Sequence, residues 1–255
     1  MKILLVNKYL YRKGGAETYF IKLGEYLKSL GNEVEYFGMA DERNCVGNRV
    51  EAYTENIDFH KKSLKHITYP FKIIYSVNAR KQIRKVLSNF KPDVVHLNNF
   101  NYQLTPSIIY EIKKHNIPIV YTAHDVQLVC PNHKLKNDYT YGLCRKCDGG
   151  KYFECVKNNC VHSSKIRSIL GAVEAWYYKL CHTYKMIDLT VCPSEFMEKE
   201  ISRNDDINGR TVTMYNFIDE IKPLGAECEN YVLYFGRYSE EKGISNLVKA
   251  TKKLS

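Results

Sequence analysis

What is missing from this 255-residue sequence narrows its reading first. No apolar run approaches the ~20 residues that a membrane-spanning helix needs. Met1-Lys2-Ile3-Leu4-Leu5-Val6 opens apolar, but Asn7-Lys8 breaks it too early for a secretory leader. It reads as a buried first strand, and the chain as cytoplasmic. No Gly-x-Gly-x-x-Gly follows that strand, which disfavours a nicotinamide cofactor. No Asp-x-Asp pair stands at a strand end, so no catalytic divalent metal is expected. Acidic residues are absent from His60 to Lys91, where Lys61, Lys62, Lys65, Lys72, Arg80, Lys81, Arg84, Lys85 and Lys91 all fall.

The net charge is +10, and that stretch holds much of it. Ile67, Tyr69, Phe71, Ile73, Ile74, Tyr75 and Val77 lie among the cations. Such a mixture suits an anionic lipid surface, nucleic acid, or a solvated face over an ordinary core contact. Lipid stands ahead of nucleic acid.

Short apolar runs alternate with amphipathic stretches. Strands are expected at Lys2–Val6, Val34–Phe37, Asp93–Leu97, Ile117–Ala123, Asp188–Cys192 and Thr211–Met214. Helices are expected at Thr18–Leu30, Thr105–His115, Ile166–Tyr184 and Glu195–Ser202, with Gly31 as a stop and Ser194 as a cap. Alternating strands and helices imply an α/β fold with a doubly wound parallel sheet. Ligands in such sheets bind at the carboxyl ends of the strands. Those ends carry Asn7–Glu17, His96–Asn99, His124-Asp125, Ser194-Glu195 and Asn216.

Gly14-Gly15 would let a ligand approach the backbone where a helix presents free N–H groups to an anion; alternatively they are a flexible turn. His124 can donate a hydrogen bond to substrate or shuttle a proton, and is the candidate catalytic residue. Asp125, on the opposite side of the strand end, need not orient it. Asn98, Asn99, Ser194 and Glu195 could line the same cleft on the acceptor side. Near the C-terminus, Val232–Gly243 (VLYFGRYSEEKG) reads as strand, glycine turn, cations and helix start. Arg237 and Lys242 would neutralise a diphosphate, or are plain surface charges on a helix-entry loop.

Taken in order, Gly14-Gly15, His124-Asp125, Pro193-Ser194-Glu195-Phe196, Asn216-Phe217-Ile218-Asp219 and Phe235-Gly236-Arg237 through Glu241-Lys242-Gly243 resemble the retaining GT-B glycosyltransferases of glycosyltransferase family four. The resemblance implies a Rossmann-like N-terminal domain over 1–218, a linker at 219–230, and the first βα unit of a donor-binding domain at 231–255. It implies that Gly15 contacts the donor diphosphate and His124 the donor sugar. Arg237 and Lys242 would bind the donor phosphates and stabilise the leaving group, without a divalent metal. The partners would be a nucleotide-diphosphate sugar and a glycan or lipid-linked acceptor. Asn-Phe-Ile-Asp replaces the usual Asn-Gly-Val-Asp. The family's Glu-x7-Glu motif would lie beyond Ser255, so the chain is expected to be a truncated enzyme, inactive by itself.

Five cysteines fall within residues 130–162. Cys144-Arg-Lys-Cys147 has the spacing that lets two thiolates reach one ion. With Cys130 and Cys160 it would complete a four-thiolate structural zinc site; Cys155, His133 and His162 are spare ligands. The polar, glycine-containing segment between them lacks a core of its own, and zinc can contribute ~10 kcal/mol to folding such a module. Reduced cysteines, disulfides or an iron–sulfur cluster are the alternatives. Cys45, Cys181, Cys192 and Cys228 are isolated and read as small buried hydrophobes.

These readings converge on the acceptor-side domain of a glycosyltransferase of cell-surface polysaccharide synthesis, held to the inner membrane face by its basic stretch. Two rivals remain: a zinc-containing nucleic-acid-binding protein and a non-catalytic, glycan-binding pseudo-transferase.

Overall fold

A computed structural model describes residues 1–56, 69–136, 142–218, 230–236, 238 and 242–253. Lys61, Lys62, Lys65, Cys228, Arg237 and nearly all of the 219–230 linker lie outside the described residues.

Met1–Phe217 forms one compact unit and Ile218–Ser255 a second. The first holds β1 (Lys2–Val6), α1 (Gly15–Ser29), β2 (Glu33–Phe37), α2 (Tyr69–Ile74), α3 (Val77–Phe90), β3 (Val94–Leu97), α4 (Ser107–Lys114), β4 (Ile119–Thr122), α5 (Phe153–Lys157), α6 (Lys165–Leu180), β5 (Leu189–Cys192), α7 (Glu195–Ile201) and β6 (Thr211–Thr213). Every strand pair is parallel, in the order β2-β1-β3-β4-β5-β6. This is the Rossmann-like, doubly wound sheet that the alternation implied.

Past Lys2, strand β1 is apolar because both its faces are covered. Ile3 and Leu5 join the cluster containing Phe20 and Ile21 of α1. Leu4 and Val6 join the opposite cluster, with Ile83, Leu87 and Phe90 of α3 and Ile108 and Ile112 of α4. Gly31, at φ +81°, takes the left-handed conformation just past the end of α1. The six strands expected between Lys2 and Met214 all form, with ends that differ from the expected ones by at most two residues.

Helix α3 emerges from inside the basic stretch. Its buried face is Ala79, Ile83, Val86, Leu87 and Phe90, and Ser76 caps it by accepting from the Ala79 amide. Two of its cations are committed to a buried partner. Arg84 Nε donates to Glu111 Oε1 at 2.6 Å and Arg80 Nη2 to Glu111 Oε2 at 2.9 Å. Arg84, and Arg80 with it, outweigh burial and hold the Glu111 carboxyl down at about 2.

In the second unit, the run expected as a strand, Val232–Phe235, forms no ladder, and Phe235 is 98% exposed. Among the described residues of this unit there is no second strand to pair with it. Gly243, at φ +75°, precedes α8 (Ile244–Thr251), and Lys242 is exposed beside it.

Candidate functional site

The chain turns back between β1 and β3: β2 lies to one side of β1, and β3 to β6 follow on the other. The crevice at such a switch point is where doubly wound sheets bind ligands. Here the loops after β1 and β3 are tied together. The Asn99 amide donates to Asn7 Oδ1 at 3.0 Å, and the Lys8 amide to the Asn99 carbonyl at 2.7 Å.

Asn98 and His124 meet across that crevice. His124 Nε2 lies 2.9 Å from Asn98 Oδ1. An amide oxygen only accepts, so the ring carries its proton on Nε2. Burial pushes the His124 pKa down to about 4, against the pull of Asp125, so the ring is neutral at pH 7. Asn98 is 1% exposed, and its Nδ2 has no hydrogen-bond partner among the described residues. A buried amide left unpaired is costly, and such a group beside a neutral imidazole is a ready donor for an incoming oxygen. His96 Nε2 is engaged by Thr122 Oγ1 at 2.8 Å, and burial likewise takes its pKa to about 4.

The two glycines at the start of α1 differ. A Cβ on Gly14 would come 3.3 Å from Glu17 Oε2, so the absent side chain makes room for that carboxylate. A Cβ on Gly15 would meet nothing within 4 Å. Open space at a helix N-terminus is therefore found at Gly15. Glu17 reaches from there towards Asn99 Nδ2, 3.5 Å away.

Asp125 engages a different histidine from the one beside it in sequence. His133 Nδ1 lies 3.3 Å from Asp125 Oδ2, and the ring stacks on Tyr102 at 5.7 Å. This draws His133 away from the role of spare metal ligand. Tyr102 and His133 both adopt left-handed backbone, at φ +64° and +62°. Strain of that kind in non-glycine residues concentrates at binding sites. Lys8 joins the group: Nζ donates to Asn101 Oδ1 at 3.0 Å and sits 5.3 Å from the Tyr102 ring centre. Burial, with repulsion from Lys13, lowers its pKa to about 8, against the attraction of Glu17 and Asp125. Sequence reasoning missed Lys8. Its only signal was its place directly after β1.

Ser194 is occupied structurally: its Oγ accepts from the Met197 amide at 3.2 Å as the cap of α7. Glu195 is exposed and receives the Tyr215 hydroxyl at 3.4 Å. Tyr19 of α1 packs edge-on to His124, ring centres 5.3 Å apart, and touches Phe217 at 5.2 Å. The phenylalanine of Asn-Phe-Ile-Asp thus backs the wall behind the histidine. Of the two cations assigned to the donor phosphates, Lys242 is exposed and Arg237 lies outside the described residues.

Residues 13–150, more than half of the chain, match the model of the family described as Glycosyltransferase Family 4. The chain belongs to that family. The matched span runs from the Gly14-Gly15 turn through Asn98, His124 and the first cysteines. Among curated proteins, an "uncharacterized 42.6 kDa protein in cps region" of Klebsiella pneumoniae is 25% identical over 265 residues, covering 98% of this chain and 64% of that protein. Among solved structures, Anabaena HepE with UDP and glucose is 14% identical, with 86% of this chain and 45% of that one covered at a TM-score of 0.46. Sucrose-phosphate synthase from Thermosynechococcus elongatus is also 14% identical, with 84% and 47% covered at 0.49. The chain therefore spans under two thirds of the Klebsiella protein and about half of these structures.

The cysteines form a second centre, apart from this crevice. Cys130, Cys144, Cys147, Cys155 and Cys160 all line one small cavity, with Val129 and Leu135 completing its apolar wall. Among the described cysteines none is disulfide-bonded. Burial, and the crowding of neighbouring thiols, pushes Cys147 well above its usual value. The cysteine segment is tied to α6: Trp176 donates its indole N–H to the Gly150 carbonyl at 3.0 Å.

Proposed function

We propose that this chain forms the acceptor-side part of a retaining glycosyltransferase that uses a nucleotide-diphosphate sugar. The observation that carries the reading is the unpaired Asn98 amide beside neutral His124, at the switch point of a family 4 chain. In the reaction, the bond between the anomeric carbon and the diphosphate breaks. A bond from that carbon to an acceptor hydroxyl forms on the same face, and the hydroxyl proton leaves with the departing phosphate. His124 Nε2–H and Asn98 Nδ2 would hold sugar oxygens. The open N-terminus at Gly15 would face the diphosphate, with Arg237 and Lys242 supplying positive charge in place of a divalent metal. Lys8, Tyr102 and Asp125 would meet the acceptor: a stacking ring flanked by a cation and a carboxylate suits a sugar.

The acceptor is proposed to be a glycan or lipid-linked sugar of cell-surface polysaccharide, a setting in keeping with the cps region of the Klebsiella relative. Peripheral attachment to anionic lipid would rest on the lysines around α3.

Ligand-observed NMR with a panel of UDP-, GDP-, ADP- and dTDP-sugars tests this reading. At least one is expected to bind saturably. Gly15→Ala, which meets no protein atom, should weaken that binding about tenfold or more at unchanged thermal stability, and His124→Ala should weaken it as much in a chain that remains folded. No saturable binding across the panel, or binding indifferent to both substitutions, overturns it.

A further inference from the structure

The glycosyl-transfer reading makes no use of the five-thiol cavity. We propose that Cys130, Cys144, Cys147 and Cys160 bind a single Zn²⁺ there, clamping the segment that follows His124 onto α7. Backbone contacts already gather these residues. The Cys144 amide donates to the Leu135 carbonyl at 2.7 Å, joining the Cys144–Cys147 turn to the Cys130 loop. The Cys160 amide donates to the Cys155 carbonyl at 3.1 Å.

Two features choose the four sulfurs from the five. The Cys155 thiol hydrogen-bonds to the Cys160 sulfur. That pairing makes Cys155 an orienting donor and leaves Cys160 as the ligand. Cys155 also sits in α5 at 1% exposure, where its sulfur has the least freedom to turn. Among the described residues no three ligating side chains are yet gathered on one point. Rotamer changes around one small cavity would bring the sulfurs to the ~2.3 Å of a zinc–thiolate bond.

The site's setting gives the ion its purpose. Arg145, inside the Cys-x-x-Cys turn, forms a double hydrogen bond with Glu200 of α7, which is fully buried. Asp148, just after the turn, accepts from Arg203. The turn is thus fastened to α7, whose first residues are the Ser194-Glu195 pair. Cys130 lies six residues beyond His124. Zinc would bind the histidine's loop to that helix, and four thiolates would leave the ion no open position for catalysis.

The test is made on the full chain, purified reduced, without chelator, from zinc-supplemented cells. Elemental analysis should find about one zinc per chain. Stripped protein titrated with Co²⁺ should develop the visible bands of a tetrahedral four-thiolate site, which Zn²⁺ then bleaches. The C144S/C147S double variant should lose the metal, and Cys155→Ser should retain it. Co²⁺ spectra of the unmutated chain keep the proposal testable if a variant fails to fold. Co-purifying iron, disulfides in place of thiols, negligible zinc with no Co²⁺ bands, or zinc retained by the double variant would each overturn it. Loss of the metal in Cys155→Ser would overturn the choice of ligands.

Discussion

Asn98 has more hydrogen-bonding capacity than the protein uses. One end of its amide is held by His124, and the other faces no partner among the described residues. Around it, three histidines have been driven in two directions. His96 and His124 are held neutral by burial, each at about 4. In His133, burial is outweighed by Asp125, and the value is raised. The signs of their pH effects therefore differ. Unfolded His96 and His124 take up protons below about 6.5 while the folded rings do not, so their effect is a loss of stability as pH falls from 6.5 towards 4. His133 does the reverse: its stabilisation is complete below 6.5 and fades as pH rises through its folded value. Urea unfolding at pH 7.5 and pH 5 should show this. His96→Gln should lessen the wild-type loss at pH 5 by about 2 kcal/mol, and His133→Gln should steepen it. Parallel shifts in both variants would contradict the assignment. The sequence marked His124 and Asn98 by their places at strand ends. It could not show that Asp125 turns to His133, which depends on how the loop between them folds, or that Lys8 is half-buried, which depends on Asn101 and Tyr102, some 90 residues away in the chain.

Among the elements, α3 was the hardest to see. Its apolar spacing is helical, but the unbroken run of cations around it draws attention to charge instead. The helix also divides those cations by function. Arg80 and Arg84 are paired with Glu111, whereas Lys81 stays exposed on a groove that it lines together with both arginines, Tyr75, Val77 and Lys114. Lys85 is exposed further along the same helix. The proposed membrane attachment would accordingly depend on the lysines. With vesicles containing anionic lipid at low salt, Lys81→Glu, Lys85→Glu and Lys114→Glu together should weaken co-sedimentation about 100-fold, at roughly 1 kcal/mol or more per charge. Added salt should weaken wild-type binding progressively, as the Debye length shrinks to about 10 Å at 0.1 M. Pelleting that ignores both changes would rule this surface out.

At the scale of the whole molecule, the parallel, doubly wound class was legible because strand-sized runs alternate with amphipathic helices, whereas the strand order emerges only from the ladders. The end of the chain was less so. Val232–Phe235 has a strand's composition, yet pairing needs a neighbour, and composition cannot supply one. Met1–Phe217 has its core on both faces of its own six-stranded sheet. A chain ending after Phe217 should therefore unfold cooperatively and melt within about 4 °C of the full chain, a difference of about 1 kcal/mol at this size. A broad or much lower transition would mean that the sheet draws stability from residues beyond it.

The bond from Trp176 to Gly150 has a practical consequence. This is the chain's single tryptophan, and its indole rests on the cysteine segment, with the Tyr152 ring 6.3 Å away. Its fluorescence is thus an unlabelled gauge of that segment alone. Undocking would expose the indole to water and redden its emission, with no second tryptophan to dilute the signal.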